Sequence, residues 1–145
     1  MRVEVKKLSE TAVLPIRGSA QAAGYDLCAD VENAVTIQPG ETAKIGTGIA
    51  IAIPQGYFGG IFARSGLSTK KGLRPANCTG VIDSDYRGPI IVALYNDSDK
   101  EQTIEPGERI AQLILIPYLT AEFEQVAELD ETARGEGGFG STGAK

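Results

Sequence analysis

A chain of 145 residues is the size of one domain, long enough to bury a core without staples. Its net charge of -5 argues against a broad basic face for duplex nucleic acid, so no nucleic-acid partner is expected and any anionic ligand must be held by local donors and a cation. The absence of histidine excludes Ser–His and Cys–His nucleophilic pairs and H-x-E zinc deaminase chemistry, and leaves an oxygen-rich site, suited to magnesium, for any metal.

Met1–Lys7 lacks the apolar core of a secretory leader, and no apolar run reaches membrane-spanning length. The expected compartment is therefore the cytoplasm, with no membrane partner. Val3, Val5 and Lys7 alternate with charged neighbours, and Ile49, Ile51 and Ile53 alternate with alanines, as strands do. Turns are expected at Pro39-Gly40, Pro54-Gln55-Gly56, Arg87-Gly88-Pro89, Asn96–Asp99 and Pro106-Gly107. A strand over Tyr57–Ala63 runs into the one plausible helical turn, Ser65 to Lys71. Pro89–Tyr95 and Arg109–Ile116 read as buried strands. Many short strands with Gly/Pro turns predict an all-β jelly-roll-like barrel or sandwich. Cys28 and Cys78 have no metal-type spacing and are expected to be small, unpaired core residues. Composition changes at Arg134. Residues 1–133 read as the β domain, and residues 134–145, with five glycines and one aromatic, as a flexible arm.

Five segments can carry chemistry. In Ala23–Leu27, Asp26 places an acid in a short strand after Gly24. In Ala63–Ser68, an arginine, two hydroxyls and free N–H groups open a helical turn, which makes either an anion site or an ordinary helix start capped by Ser65. In Gly80–Gly88, two aspartates and a tyrosine sit in a Gly-bracketed hairpin. That hairpin is either a solvated turn, like the Asp-Ser-Asp of 97–99, or a site in which Asp83, following Val81-Ile82 at a buried strand end, gains basicity by desolvation. Gln112 is the polar side chain of an apolar strand and is expected on the face of Ile110 and Ile114. It lies at a strand edge or reaches a polar site. Gly135-x-Gly137-x-x-Gly140 matches a dinucleotide fingerprint only as a bare pattern, since no helix can follow it. Its glycines still allow backbone N–H groups to approach phosphate, with Arg134 adding charge and Phe139 a flat face for a base. The segment is thus either an arm that closes on a ligand or a linker.

In this order, Ala23–Leu27, Arg64–Ser68, Gly80–Gly88, Gly107–Leu113 and Arg134–Gly143 resemble the five motifs of the homotrimeric dUTPase family. The third and fifth are the most specific. The resemblance implies a β jelly roll, a homotrimer whose active sites are shared between subunits, dUTP as substrate and Mg2+ as cofactor. It also implies roles. Asp83 would activate the attacking water, and Tyr86 would lie under the deoxyribose, excluding a 2′-hydroxyl. Asn77 and the backbone of Val81, Ile82 and Ile91 would read uracil. Arg64, Ser65 and Gly66 would hold phosphates, and Gln112 would stand near the α-phosphate or the water. Asp26 would reach magnesium through water. Arg134, Phe139, Gly140 and Ser141 would close over the nucleotide, with Phe139 on uracil. The product dUMP would feed thymidylate synthesis, and uracil incorporation into DNA would be limited. A related fold, dCTP deaminase, shares a resembling Arg-Ser loop and a Gly-x-Ile-Asp segment, but Tyr86 and the Gly-Phe-Gly arm stand against it. Asp83 and the arm likewise argue against a non-catalytic nucleotide binder. A plain structural β domain would leave five polar constellations as coincidence.

Overall fold

The structure, a computed structural model, describes residues 1–138. The strands are β1 (Glu4–Lys7), β2 (Tyr25–Cys28), β3 (Val35–Ile37), β4 (Thr42–Gly46), β5 (Ile49–Ala52) and β6 (Tyr57–Phe62). One helix, α1 (Ser65–Lys71), follows, and then β7 (Leu73–Pro75), β8 (Gly80–Ile82), β9 (Ile91–Asn96), β10 (Gln102–Ile104) and β11 (Arg109–Pro117). All strand pairs are antiparallel, in sheets ordered β1-β5, β10-β3, β2-β11-β6-β8 and β4-β9-β7. The architecture is the expected all-β, jelly-roll-like one.

The core explains why these segments pair. Leu27, Ile37, Ile45, Ile49, Leu73, Leu94, Ile104 and Ile110 are all at most 1% exposed, and they come from eight different strands. Alternation puts one face of each short strand inward, so the sheets close on a single cluster to which α1 adds Leu67. Burying each such side chain stabilises by about 1.5–3 kcal/mol relative to leaving it in water.

Three sequence expectations are corrected. The strand expected over Pro89–Tyr95 begins at Ile91, and it alternates between buried and outward positions because its sheet has one outer face. Cys78 is exposed, with φ 62 in the β7–β8 turn, so it is not a core residue. Cys28 is buried and unpaired, as expected. Ile110 does not share the face of Gln112. The β11–β2 register shifts by one residue between Arg109 and Ala111, and this β-bulge sends Ile110 into the core.

Candidate active site

The outer face of β2-β11-β6-β8 organises the polar residues. Asp26, Gln112 and Phe62 stand in one row across β2, β11 and β6. Arg64 follows β6 and opens α1. A cleft of about 450 Å³ lies over this end of the sheet, lined by Asp26, Arg64, Ser65, Gly66, Arg109 and Gln112, with Gly18 and Ala22 to Gly24 along one side. Three of the five motifs, separated widely in sequence, therefore meet in one cleft.

Charge is the cleft's main feature. Arg64 donates from Nε to Asp26 Oδ1 at 2.7 Å and from Nη1 to the Arg109 carbonyl at 3.2 Å. Arg109 Nη1 reaches Asp26 Oδ2 at 3.1 Å. Two guanidinium groups thus surround one carboxylate, which leaves the cluster net positive. The thiol of Cys28 lies nearby. Burial, and then Asp26, push its pKa up, against the pull of Arg109 and Arg64.

The helix start is capped differently than expected. Arg64, not Ser65, is the N-cap, and no side chain caps the helix. Ser65 and Gly66, whose N–H groups have no intrahelical acceptor at the start of α1, line the cleft. At Gly66 a Cβ would meet nothing within 4 Å, so the glycine serves no packing need and leaves the backbone open to a ligand. At Gly24 the opposite holds. A Cβ there would collide with the Gln112 amide, which lies across the glycine and donates to the Ala63 carbonyl at 2.9 Å. Gln112 therefore sits on a central strand and reaches a polar site, not on a strand edge.

The Gly80–Gly88 hairpin forms a second surface. The expected burial of Asp83 is not found, because β8 is an edge strand, Val81 is 59% exposed and Asp83 is exposed in this chain. Every second residue of an edge strand points its N–H and C=O away from the sheet, so β8 presents free backbone groups along its open edge. Asn77 and Ile91 are exposed next to β8 in sequence, in the β7–β8 turn and at the start of β9. Tyr86 folds back over Gly88, and its hydroxyl donates to the Pro89 carbonyl at 3.1 Å. Asp83, Asp85, Arg87, Gln55 and Tyr118 line an open depression of about 590 Å³.

These two surfaces do not meet within the chain. Continuing the register Ile82↔Gly59↔Leu115 by one residue puts Asp83 level with Phe58 and Ile116. Gln112 is four residues back along β11, about 13 Å, and two strands across, about 10 Å, so the two backbones are roughly 16 Å apart. Aspartate and glutamine side chains cannot close that gap on one phosphorus atom. Arg134 joins neither surface. Its Nε donates to the Gly137 carbonyl at 2.8 Å, within a local turn. Phe139, Gly140 and Ser141 lie outside the described residues.

The family model for dUTPase matches residues 10–143. The chain belongs to the dUTPase family. The deoxyuridine 5'-triphosphate nucleotidohydrolase of Hydrogenobaculum sp. (strain Y04AAS1) is 50% identical over 145 residues, covering all of both chains. The protein of the same name from Oryza sativa subsp. japonica is 50% identical over 141 residues, 97% of this chain and 80% of that one. Staphylococcus bacteriophage 80alpha dUTPase, solved with dUPNHPP, superposes with a TM-score of 0.88 at 36% identity over 98% of each chain. A mutant dUTPase from phage phi11 of S. aureus, described with coordination of a structural Mg(II) ion, gives a TM-score of 0.81 at 30% identity over 90% of this chain and all of that one. The chain is thus a dUTP diphosphatase of the dUTPase family.

The donor set in the dUTPase-family cleft limits how a metal could be held. Among the described residues no three acidic or cysteine side chains are grouped to hold an ion. Among the described residues Asp26 is the one carboxylate lining the cleft, and both of its oxygens already face arginines. Such a set does not make a protein cage and suits only an ion that keeps most of its own waters, as magnesium does. Arg109 is the cleft residue that the sequence does not single out. Plain alternation puts residue 109 on the face opposite Gln112, and only the bulge turns it outward.

Proposed function

We propose that the chain hydrolyses dUTP to dUMP and pyrophosphate by in-line attack of an Asp83-activated water on the α-phosphorus, with Mg2+ as cofactor. The observation that carries this is the convergence of Asp26, Arg64, Ser65, Gly66 and Gln112 on one cationic cleft. Phosphoryl transfer asks chiefly for positioning and charge neutralisation, and that cleft offers both without histidine. Arg64, Ser65 and the N–H of Gly66 hold the phosphates. Gln112, fixed by Ala63, orients the water or the α-phosphate. Asp83 of another subunit takes the proton as the water oxygen bonds to phosphorus, and the bond to the bridging oxygen breaks to release pyrophosphate. Magnesium on the phosphates, with Asp26 reached through water, would neutralise their charge.

The hairpin supplies selectivity. The edge backbone of Val81 and Ile82, together with Asn77 and Ile91, pairs with the edge of uracil. The ring of Tyr86 occupies the space a 2′-hydroxyl would need. Residues 134–145 form an arm that closes over the nucleotide, with Arg134, Gly140 and Ser141 on phosphates and Phe139 stacked on uracil.

The roughly 16 Å between Asp83 and Gln112 supports a site built from several chains of a homotrimer. An apolar outer sheet face, with Phe58, Phe62, Val81, Ile114 and Ile116, supports it further, because such faces mark protein contacts. Two unpaired cysteines suit a cytoplasmic setting, where the enzyme would limit uracil in DNA and supply dUMP for thymidylate synthesis. Pyrophosphate release measured side by side on dUTP, dCTP, dTTP and UTP tests the reading. Rapid release from dUTP alone, without ammonia from dCTP, is expected. Equal release from dCTP, or none from dUTP, contradicts it.

A further inference from the structure

Arg109 has no role in the reaction as described, yet it closes the charged cluster. Asp26 accepts from Arg64 Nε on one oxygen and from Arg109 Nη1 on the other, while the Arg109 carbonyl accepts from Arg64 Nη1. The three contacts make a closed ring spanning β2, β11 and the start of α1. The guanidinium is planar and its donors form a rigid fork, so fixing Nε and Nη1 also fixes where Nη2 points. Nη2 has no hydrogen-bond partner among the described residues.

Two further features hold this ring in place. The bulge at Ile110 puts Arg109 opposite Cys28, on the face of Asp26; a regular strand would turn it toward the core. Next to it, Glu108 pairs with Lys71 at 2.7 Å, so α1 is tied to the start of β11 at its last turn as well as at Arg64. With its side chain 54% exposed, Arg109 gains little from its ion pair as such. What the ring provides is a fixed direction for Arg64.

We propose that Arg109 is a positioning residue for dUTP hydrolysis: through Asp26 and its own carbonyl it sets the plane of the Arg64 guanidinium that grips the triphosphate. This rests on the reading of Arg64 as a phosphate ligand. Arg109 then acts through Arg64 and adds nothing once Arg64 is gone.

The test is a double-mutant cycle on binding of a non-hydrolysable dUTP analogue in EDTA, so that any magnesium contact of Asp26 drops out. Arg64→Ala and Arg109→Ala should each weaken binding about 10-fold, and the double variant should bind about as well as Arg64→Ala alone. Arg109→Lys, which keeps the charge toward Asp26, should recover part of the loss and should still fold if the alanine variant does not. Wild-type affinity in Arg109→Ala and Arg109→Gln overturns the proposal. Losses that multiply in the double variant also overturn it, since Arg109 would then be an independent contact, and they leave the functional reading intact. Unchanged affinity in Arg64→Ala overturns both.

Discussion

Tyr86 depends on its neighbour Gly88. A Cβ at 88 would run into the phenol ring, which rests there with its hydroxyl on the Pro89 carbonyl. Gly88→Ala should therefore shift the ring without unfolding the chain, and steady-state assays should show the dUTP-over-UTP preference reduced by roughly 10-fold or more. An unchanged ratio would place sugar discrimination elsewhere. Asp83 is a simpler case. Asp83→Asn should retain analogue binding and lose about 10²–10⁴-fold in turnover, while Asp97→Asn, in the look-alike turn, should be silent. Asp30 lies outside the lining of the cleft and bears on stability instead. Hydrogen bonds from Thr11 and then Ser9 hold its carboxyl below the usual range and fasten the segment before β2 to the body. A depressed folded pKa stabilises above the unfolded value of about 3.9 and is lost as pH falls through the lower folded value. The melting-temperature gap between the wild type and Asp30→Asn should thus be full at pH 7 and shrink below about pH 4. A gap independent of pH would mean that the hydrogen bonds contribute nothing through charge.

Elements differ in how far the sequence reveals them. Helix α1 was legible to the residue, because Gly66 and the lysines sit between a strand pattern and Gly72, whose φ of +67 ends the helix. The strands β6, β9 and β11 were legible from apolar periodicity, to within two residues at their ends. Of the segments that form the cleft, Gln112 stands out by itself as a polar residue in an apolar strand, whereas Asp26 and the turn at Arg64–Gly66 are picked out by the resemblance to the dUTPase motifs. The bulge in β11 was not legible. It changes which side chains share a face without changing composition, and with it went the contribution of Arg109 and the true side of Ile110. The exposure of Asp83 was hidden for a related reason, since flanking valine and isoleucine look the same in an edge strand as in a central one. Leu94, in the middle of β9 between β4 and β7, is fully buried. Leu94→Ala should cost about 2–5 kcal/mol in denaturant unfolding, with catalysis per folded molecule little changed. A cost well under 1 kcal/mol would mean that this layer of the core is loosely packed.

For the whole molecule, a single chain leaves much apolar surface in water. Leu119, Phe123 and Leu129 are 97%, 95% and 84% exposed after β11 ends, beyond the apolar outer face of the sheet. The same chain holds its phosphate cleft and its proposed base roughly 16 Å apart. Both features are explained if the working unit is an assembly in which the cleft of one chain faces the hairpin of another. The most direct measurement mixes two impaired variants, Asp83→Asn and Arg64→Ala, by unfolding and reassembling them together, and then assays pyrophosphate release at dUTP far below saturation, where the weakened binding of Arg64→Ala shows in full. If each site draws the two residues from different chains, about a quarter of sites in randomly mixed assemblies carry both intact, and activity should return toward that fraction of the wild type. Confirmed mixed assemblies that remain as impaired as the parents would contradict the account, for every site would then need Asp83 and Arg64 from the same chain.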